Sequence, residues 1–578
     1  MAQNGRESNS FMKSLFAGSI EQGLVFPYPR MDSEEEENLR IILDSIRQFA
    51  KDHVDSAEID RTGEIPKEVL DGMAELGLFG MAIPEAYEGY GFSSTAYNRV
   101  FEEVARIDAS LAVTFGGHQS IGLKALILHG TEDQKKRYLP KLANGEWFAG
   151  FALTEPGAGS DAAGIQTTAV KSDDGTYYLL NGNKIWITNG GFANFFTVFA
   201  KTPVGENDEP KITAFAVTRD MAGFSSGKEE EKLGIHGSST TELTFDNVKV
   251  PVENVIGPLG KGFKVAMEVL NSGRLGLAAG CLGGVKQVAE MSIEHAKNRK
   301  QFNTAIANFE MIKHKISDMM VDAFALESMV YLTTGLMDRG EVDYSIESAI
   351  CKVYASEAVW RAVNEGMQIA GGIGYSKEYP YERALRDARI NLIFEGANEV
   401  LRSYIALAGM QEHAEYLKEV GKALQNPLNE LGVLTDFAIH RIRTTMATER
   451  LSEVHESLSD EVSKFEEYSK ELHLATEKVL TKYKKKIIHQ GFILYRLADM
   501  AIDLFGMVAV ISRLDALIQE KGLAKVQREL TLGRMFCEEA WRRLRRNRRQ
   551  IENNSDAWRR EIAESAYETN GYVSGLFD

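Results

Sequence analysis

The sequence predicts a mainly α-helical protein with a small β domain in its middle and an extra helical domain at its C-terminal end. Three observations predict this. Apolar residues recur at helical spacing up to about residue 146 and again from 261 to 410. Between them, from 147 to 260, the pattern becomes that of strands. After 411 the helical period resumes in a further block. The expected divisions are 1–146, 147–260, 261–410 and 411–578.

In the first division, Ser33 is a good N-cap, and Glu36 three residues on completes a capping box. Leu39, Ile42, Leu43, Ile46, Phe49 and Ala50 then keep one helical face apolar. Further helices fit 67–76, 94–107, 121–129 and 132–144. In the middle block, 177–180 and 184–187 read as a hairpin closed by Asn181-Gly182, a pair suited to a type I′ turn. Strands at 195–200, 212–217 and 241–250 follow. The helical period holds from 262 to 407 and should give a helical bundle. Gln425-Asn426-Pro427 reads as a linker. Val454, Leu458, Val462, Phe465, Leu472, Ala475 and Val479 mark a long amphipathic helix, with an apolar helix at 492–511 beside it.

Composition narrows the function. A net charge of −17 argues against general nucleic-acid binding. Cys281, Cys351 and Cys537 form no CxxC and no disulfide framework, which suits buried thiols in a reducing compartment. The polar start, Met1 to Asn9, has no apolar core and few arginines, so neither a signal nor a transit peptide is expected. The expected location is cytoplasmic, as in bacteria. Arg496, Asp499 and Asp503 interrupt 492–511, which favours a buried helix over a membrane span. No metal-ligating cluster stands out.

One carboxylate carries chemistry. Glu395 lies in Asn391-Leu392-Ile393-Phe394-Glu395-Gly396-Ala397-Asn398-Glu399, between an apolar run and a glycine. Poor solvation raises the basicity of such a group, which suits proton abstraction from carbon. By itself it reads first as a solvated glutamate at a helix start, where Glu is common. Gly157-Ala158-Gly159-Ser160-Asp161 lacks the GxGxxG spacing and reads by default as a turn.

Four segments together are more specific. Thr154 to Asp161, Lys184 to Gly191, Gln368 to Tyr375 and the Glu395 stretch resemble, in order, the signatures of the acyl-CoA dehydrogenase family of flavoproteins. The resemblance covers roughly 26–409 and implies an N-terminal helical domain, a β domain and a C-terminal four-helix bundle. The whole chain is most similar to the very-long-chain branch, whose members carry a C-terminal helical extension.

The resemblance implies FAD-dependent α,β-dehydrogenation of fatty acyl-CoA thioesters, of long chain, to trans-2-enoyl-CoA in fatty acid β-oxidation. Glu395 would be the base, with its backbone N–H on the thioester carbonyl. Electrons would pass to an electron-transfer flavoprotein. Phe151, Leu153, Thr154, Ser160, Trp186 and Thr188 would wrap the flavin. Arg299 and Phe302, with Gln368, Gly371 and Gly372, would reach the FAD of a neighbouring subunit in a homo-oligomer, dimer or tetramer. Ala397 and Glu399 complete the implied cofactor contacts. Ser160, Asn271, Arg274, Phe394 and Gly396 are the implied substrate contacts. For Arg274, an ordinary bundle salt bridge is an equal reading.

Departures from the family pattern are Phe151 for Tyr, Asn303 for Gly, Glu310 for Gln and Ala397 for Thr. Val113, Gly116 and Gly117 would leave room at the far end of an acyl cavity, or simply allow close helix packing. Two other readings stand beside this one. An acyl-CoA oxidase would use the same base and flavin. A non-catalytic assembly protein on the same fold is disfavoured by the presence of Glu395. The six arginines of 541–550 read as a solvated or internally paired helix face, ahead of a patch for peripheral contact with anionic lipid.

Overall fold

A computed structural model describes residues 9–205, 207–423 and 449–572. The chain divides into two compact units, Phe26–Leu401 and a unit made from its first and last segments, up to Val25 and from Arg402 onward. In chain order the helices are α1 (Phe11–Ala17), α2 (Gln22–Val25), α3 (Ser33–His53), α4 (Ser56–Thr62), α5 (Lys67–Glu75), α6 (Ser94–Ile107), α7 (Ala109–Gly116), α8 (Lys124–His129) and α9 (Glu132–Ala143). After the sheet come α10 (Gly262–Asn298), α11 (Glu310–Asp338), α12 (Ser345–Ala370), α13 (Pro380–Ala388) and α14 (Asn398–Ala423). The last four described helices are α15 (Ser459–Tyr483), α16 (Gly491–Lys521), α17 (Gln527–Glu552) and α18 (Asp556–Thr569).

In the larger unit, α3 starts one residue earlier than its sequence suggests. Asp32 is the N-cap and accepts from the N–H groups of Glu34 and Glu35 at 2.9 and 3.4 Å. Ser33 is already inside the helix, so the expected Ser33–Glu36 capping box does not form. Leu39, Leu43 and Ile46 turn inward onto Val69, Met73, Phe79, Val100, Phe101 and Phe115. The helix expected at 121–129 is a six-residue π-helical turn, Gly117–Gly122, followed by α8.

The sheet contains β1 (Ala149–Ala152), β2 (Thr168–Lys171), β3 (Tyr177–Thr188), β4 (Phe195–Val204), β5 (Glu209–Thr218), β6 (Phe224–Glu229), β7 (Thr240–Pro251) and β8 (Val255–Ile256). Its order is β6-β7-β3-β2-β4-β5-β8, with β1 added parallel to β4. The Asn181-Gly182 hairpin is a correction. These residues sit inside the single strand β3, where the register to β7 slips between Leu180 and Gly182. Gly182 has φ 147°, and a Cβ there would lie 2.5 Å from Thr167 Oγ1. The pair makes a bulge rather than a turn, because β2 and β7 flank β3 and leave the strand no room to reverse. One face of the sheet packs Phe196, Phe215 and Phe245 into its own core. The other sets Phe195 and Phe199 against Leu126, Leu139, Val265 and Val269, so the sheet is clamped to α8, α9 and α10.

Helix α10 packs on α6, α11 and α12. The expected unbroken helical run is interrupted after α10 by a small hairpin, β9 (Lys300–Gln301) with β10 (Thr304–Ala305).

In the second unit α1 packs on α15, and α16 packs on α15 and α17. Phe11, Met12, Leu15 and Phe16 are buried there, so this segment does not join the N-terminal helices as the 1–146 division had it. Val454 and Leu458 precede α15 rather than belonging to it, and α16 extends ten residues past the expected end at 511. The three ionic groups that interrupt 492–511 each find a partner: Arg496 with Asp556 at 2.6 Å, Asp499 with Arg402 at 2.8 Å, and Asp503 with Arg543 at 2.7 Å. Among the described residues no helix is long and apolar enough to cross a membrane. The three cysteines are buried free thiols, as expected. The 425–427 linker lies outside the described residues.

Candidate functional site

Glu395 follows α13 and a 3-10 turn, Arg389–Leu392, in the short link to α14. Its φ is 56° and that of Gly396 is 97°, two successive left-handed residues. Left-handed backbone is costly for a glutamate, so the surroundings must hold it. The carboxylate reaches in beside Gly273, where a Cβ would lie 2.9 Å from Oε2. Oε2 is screened from solvent and has no hydrogen-bond partner. The backbone N–H of Glu395 likewise has no partner among the described residues. Burial raises the carboxyl to about pH 7, while Arg274 and Lys352 pull it down. A carboxylate that is poorly solvated, unpartnered and titrating near neutrality is equipped to take a proton.

The group opens on an apolar cavity of about 250 Å³. Phe101, Ala112, Val113, Ile121, Leu277, Val359 and Phe394 line it, with Gly116, Gly117, Gly273, Gly280 and Gly284. The glycines do two things. A Cβ on Gly116 would lie 2.6 Å from the Phe101 ring, and one on Gly280 2.8 Å from it, so Phe101 occupies a slot between α7 and α10. Gly117 is held equally close to Thr188. Close packing and cavity lining are therefore both present at Gly116 and Gly117.

Of the implied substrate residues, Asn271, Arg274, Phe394 and Gly396 gather around the base, while Ser160 lies exposed away from the cavity lining. Arg274 is buried and directs Nε to the Glu395 carbonyl at 3.3 Å and Nη1 to Asn271 Oδ1 at 2.9 Å. The Asn271 carbonyl accepts from Ser348 Oγ at 2.6 Å.

The implied flavin residues lie along β1, β3 and the turn between β1 and β2. Leu153 is buried, Phe151 packs on Phe199 at a ring distance of 5.0 Å, and Thr188 lines the cavity. Trp186 is 63 % exposed with φ 55°, an indole turned outward from a strand. Arg299 is exposed and makes no ion pair among the described residues. Phe302, 90 % exposed, sits on the tip of the β9–β10 hairpin with φ 53°. Asn303 adopts φ 62°, a conformation asparagine tolerates, which accounts for its standing in place of glycine. Gln368, Gly371 and Gly372 are exposed at the end of α12, and a Cβ on either glycine would meet nothing within 4 Å. Ala397 is half-buried and Glu399 exposed at the start of α14. None of these last seven residues lines the cavity. An outward-facing indole, an unpaired guanidinium and open-faced glycines fit a large planar, diphosphate-bearing cofactor such as FAD. No group of three or more His, Cys, Asp or Glu among the described residues could hold a metal.

Two buried lysines escaped the sequence reading. Lys184 Nζ donates to the Leu153 carbonyl at 3.0 Å and to Glu155 Oε1 at 2.7 Å, stapling the 153–156 turn to β3. Glu155 also accepts from the Thr167 N–H at 3.0 Å. Burial alone would raise the Glu155 carboxyl, but Lys184 and the N–H groups of Thr167 and Gln166 hold it low, while burial lowers Lys184 to about 8. Lys352 donates to the Gly396 carbonyl at 2.7 Å and to Asn398 Oδ1 at 2.9 Å. Its signal was a charge inside the apolar run Ala349-Ile350-Cys351-Lys352-Val353-Tyr354.

Comparison with known proteins gives a consistent result. Acyl-CoA dehydrogenase N-terminal, middle and C-terminal domain profiles match 34–146, 150–248 and 260–410. The ACAD9/ACADV C-terminal domain profile matches 456–572. A very long-chain specific mitochondrial acyl-CoA dehydrogenase of Rattus norvegicus is 41% identical, over 98% of this chain and 89% of its own. Among solved structures, an acyl-CoA dehydrogenase complexed with FAD from Bacillus anthracis aligns with TM-score 0.78 and 32% identity over 97% of this chain and 96% of its own. Butyryl-CoA dehydrogenase from Megasphaera elsdenii aligns with TM-score 0.62 and 39% identity over 66% of this chain and 99% of its own.

Proposed function

Because this chain belongs to the acyl-CoA dehydrogenase family, we propose that Glu395 is the base of an FAD-dependent α,β-dehydrogenation whose preferred substrate is a long-chain fatty acyl-CoA. The observation that carries the role of Glu395 is its screened, unpartnered Oε2 at an apolar cavity. FAD, when bound, supplies the acceptor for the hydride leaving the β-carbon. The chain's residues do the rest. The free Glu395 N–H is available to a thioester carbonyl, where negative charge develops as the α-proton leaves. The apolar walls exclude water and keep the carboxylate basic. Each buried methylene adds about 0.8 kcal/mol to binding, so an apolar cavity favours longer chains until it is full.

The test is Glu395→Gln. It should retain FAD and acyl-CoA, yet reduce the flavin on the order of 10²- to 10⁴-fold more slowly. In the native enzyme the reduction rate should rise with pH through about 7 as Glu395 loses its proton. Near-native reduction by the variant would refute the assignment.

We propose an electron-transfer flavoprotein as acceptor; rapid flavin reoxidation in air would favour an oxidase instead. Arg299 and Gln368 to Gly372, exposed in one chain, suit contacts to the FAD of a second subunit in a dimer or tetramer. For the C-terminal arginines a peripheral contact with anionic lipid gains support from one observation. Arg545, Arg546, Arg549 and Arg559 line one pocket and make no ion pair among the described residues. Arg543 and Arg548, by contrast, pair with Asp503 and Glu471. Sedimentation with anionic against neutral vesicles separates the two readings of this face.

A further inference from the structure

Two successive carbonyls in the Glu395 loop are each held by a buried cation from a different helix. Arg274 of α10 takes the carbonyl of Glu395, and Lys352 of α12 takes that of Gly396. Lys352 is fully buried, and its second acceptor is the Asn398 side chain. That amide is itself oriented, because its Nδ2 donates to Ser356 Oγ at 3.0 Å and to Glu357 Oε1 at 3.2 Å. Lys352 makes no ion pair with any carboxylate among the described residues. Burying an ammonium on neutral acceptors alone is costly, and a methionine of similar volume would pack there without that cost. The acceptor it meets belongs to the strained turn, with φ 56° at Glu395 and 97° at Gly396.

We infer that Lys352 is a positioning residue for Glu395: it pins the Gly396 carbonyl, fixes the left-handed turn that aims the carboxylate, and leaves the Glu395 N–H free. This rests on reading Glu395 as the base. The ammonium also acts through space. The charged or titratable groups acting on this corner are Arg274 and Cys281 from α10, Glu357 and Lys352 from α12, and Glu395 itself, with Arg106 of α6, Asp108, and Arg383 and Asp387 of α13 also lining the cavity. Arg274 and Lys352 favour ionised Glu395, and burial opposes it. Removing one cation moves the base toward a higher midpoint.

The test uses holoenzyme of Lys352→Met and Lys352→Gln, with flavin reduction followed across pH beside FAD content and thermal unfolding. Lys352→Met should lower the limiting rate on the order of 10²-fold, as expected when a base is misplaced by about 1 Å. Its pH midpoint should rise by about one unit. Lys352→Gln keeps a donor on a shorter chain, so its rate should lie between the two while its midpoint rises equally. Where the methionine variant does not fold, the glutamine variant decides. A purely structural lysine would reduce FAD content or melting temperature and leave the midpoint of the remaining holoenzyme unmoved; that outcome overturns the inference. Glu395→Gln, run in parallel, separates the two claims. If it still reduces flavin, the base assignment fails. If it is inactive while both Lys352 variants keep native profiles, only the positioning role fails.

Discussion

Lys184 ties the 153–156 turn, proposed above to wrap FAD, to β3. It is wholly buried, and its one carboxylate partner among the described residues, Glu155, is nearly so. Breaking such a pair from one side leaves an uncompensated charge, a loss of about 3–5 kcal/mol. Lys184→Met should therefore unfold at lower denaturant and release FAD more readily, because the 153–156 turn loses its tie to β3. Lys184→Met with Glu155→Gln should recover part of that stability in a double-mutant cycle. Additive losses would show the pair is not coupled. At this scale the sequence was unevenly legible. Glu395 could be singled out because its neighbours in the chain, Ile393, Phe394 and Gly396, already describe a poorly solvated carboxylate. Lys184 could not, since its acceptors lie 29 and 31 residues away; Lys352 showed only a charge inside an apolar run, and its acceptors, 44 and 46 residues away, decide what it holds. Glu395 also sets a pH trend for stability. Its folded value, about 7, lies above its ordinary 4.5, so its contribution is full below pH 4.5 and is lost as pH rises through 7.

At the scale of elements, local signals were right where no neighbour opposed them. The 94–107 helix is found with those bounds because Ser93 caps it, accepting from the Ala96 N–H at 3.1 Å. Asn181-Gly182 has strong turn chemistry and still lies within a strand, because pairing on both edges outweighs the turn. The π-helical turn at Gly117–Gly122 was equally unreadable, being set by packing and by no residue signature. The Phe101 slot gives a prediction here. A methyl on Gly116 would drive the Phe101 ring aside, and that ring is part of the cavity wall. Gly116→Ala should thus shift the best substrate toward shorter acyl chains, measured as kcat/KM across a ladder from butanoyl-CoA upward. Each methylene no longer accommodated should cost about 0.8 kcal/mol, roughly fourfold in that constant. An unchanged optimum would mean that Phe101 moves away from the cavity.

For the whole molecule, the four-part reading of the chain is a statement about sequence order, and the contacts divide the chain differently. Every residue proposed for catalysis or cofactor binding lies between Phe26 and Leu401. The other unit draws on both ends of the chain, with Phe16 buried against Gly409 and the Phe16 carbonyl 3.1 Å from His473 Nδ1. Periodicity could not reveal this, because a short helix such as α1 carries no mark of which distant helix it will meet. Phe16→Ala should destabilise that unit by about 3–5 kcal/mol, seen as a lowered calorimetric transition. A single unshifted transition would argue against two units. The arrangement also has a consequence for synthesis. Translation runs from the N-terminus, so α1 leaves the ribosome before the other described helices yet finds its place among the last of them. The segment that carries the chemistry is contiguous and can condense while the polypeptide is still growing. Helix α1, whose Phe11 and Phe16 are buried only once the C-terminal helices arrive, must wait through that whole interval with its apolar face uncovered, a stretch for a chaperone to shield.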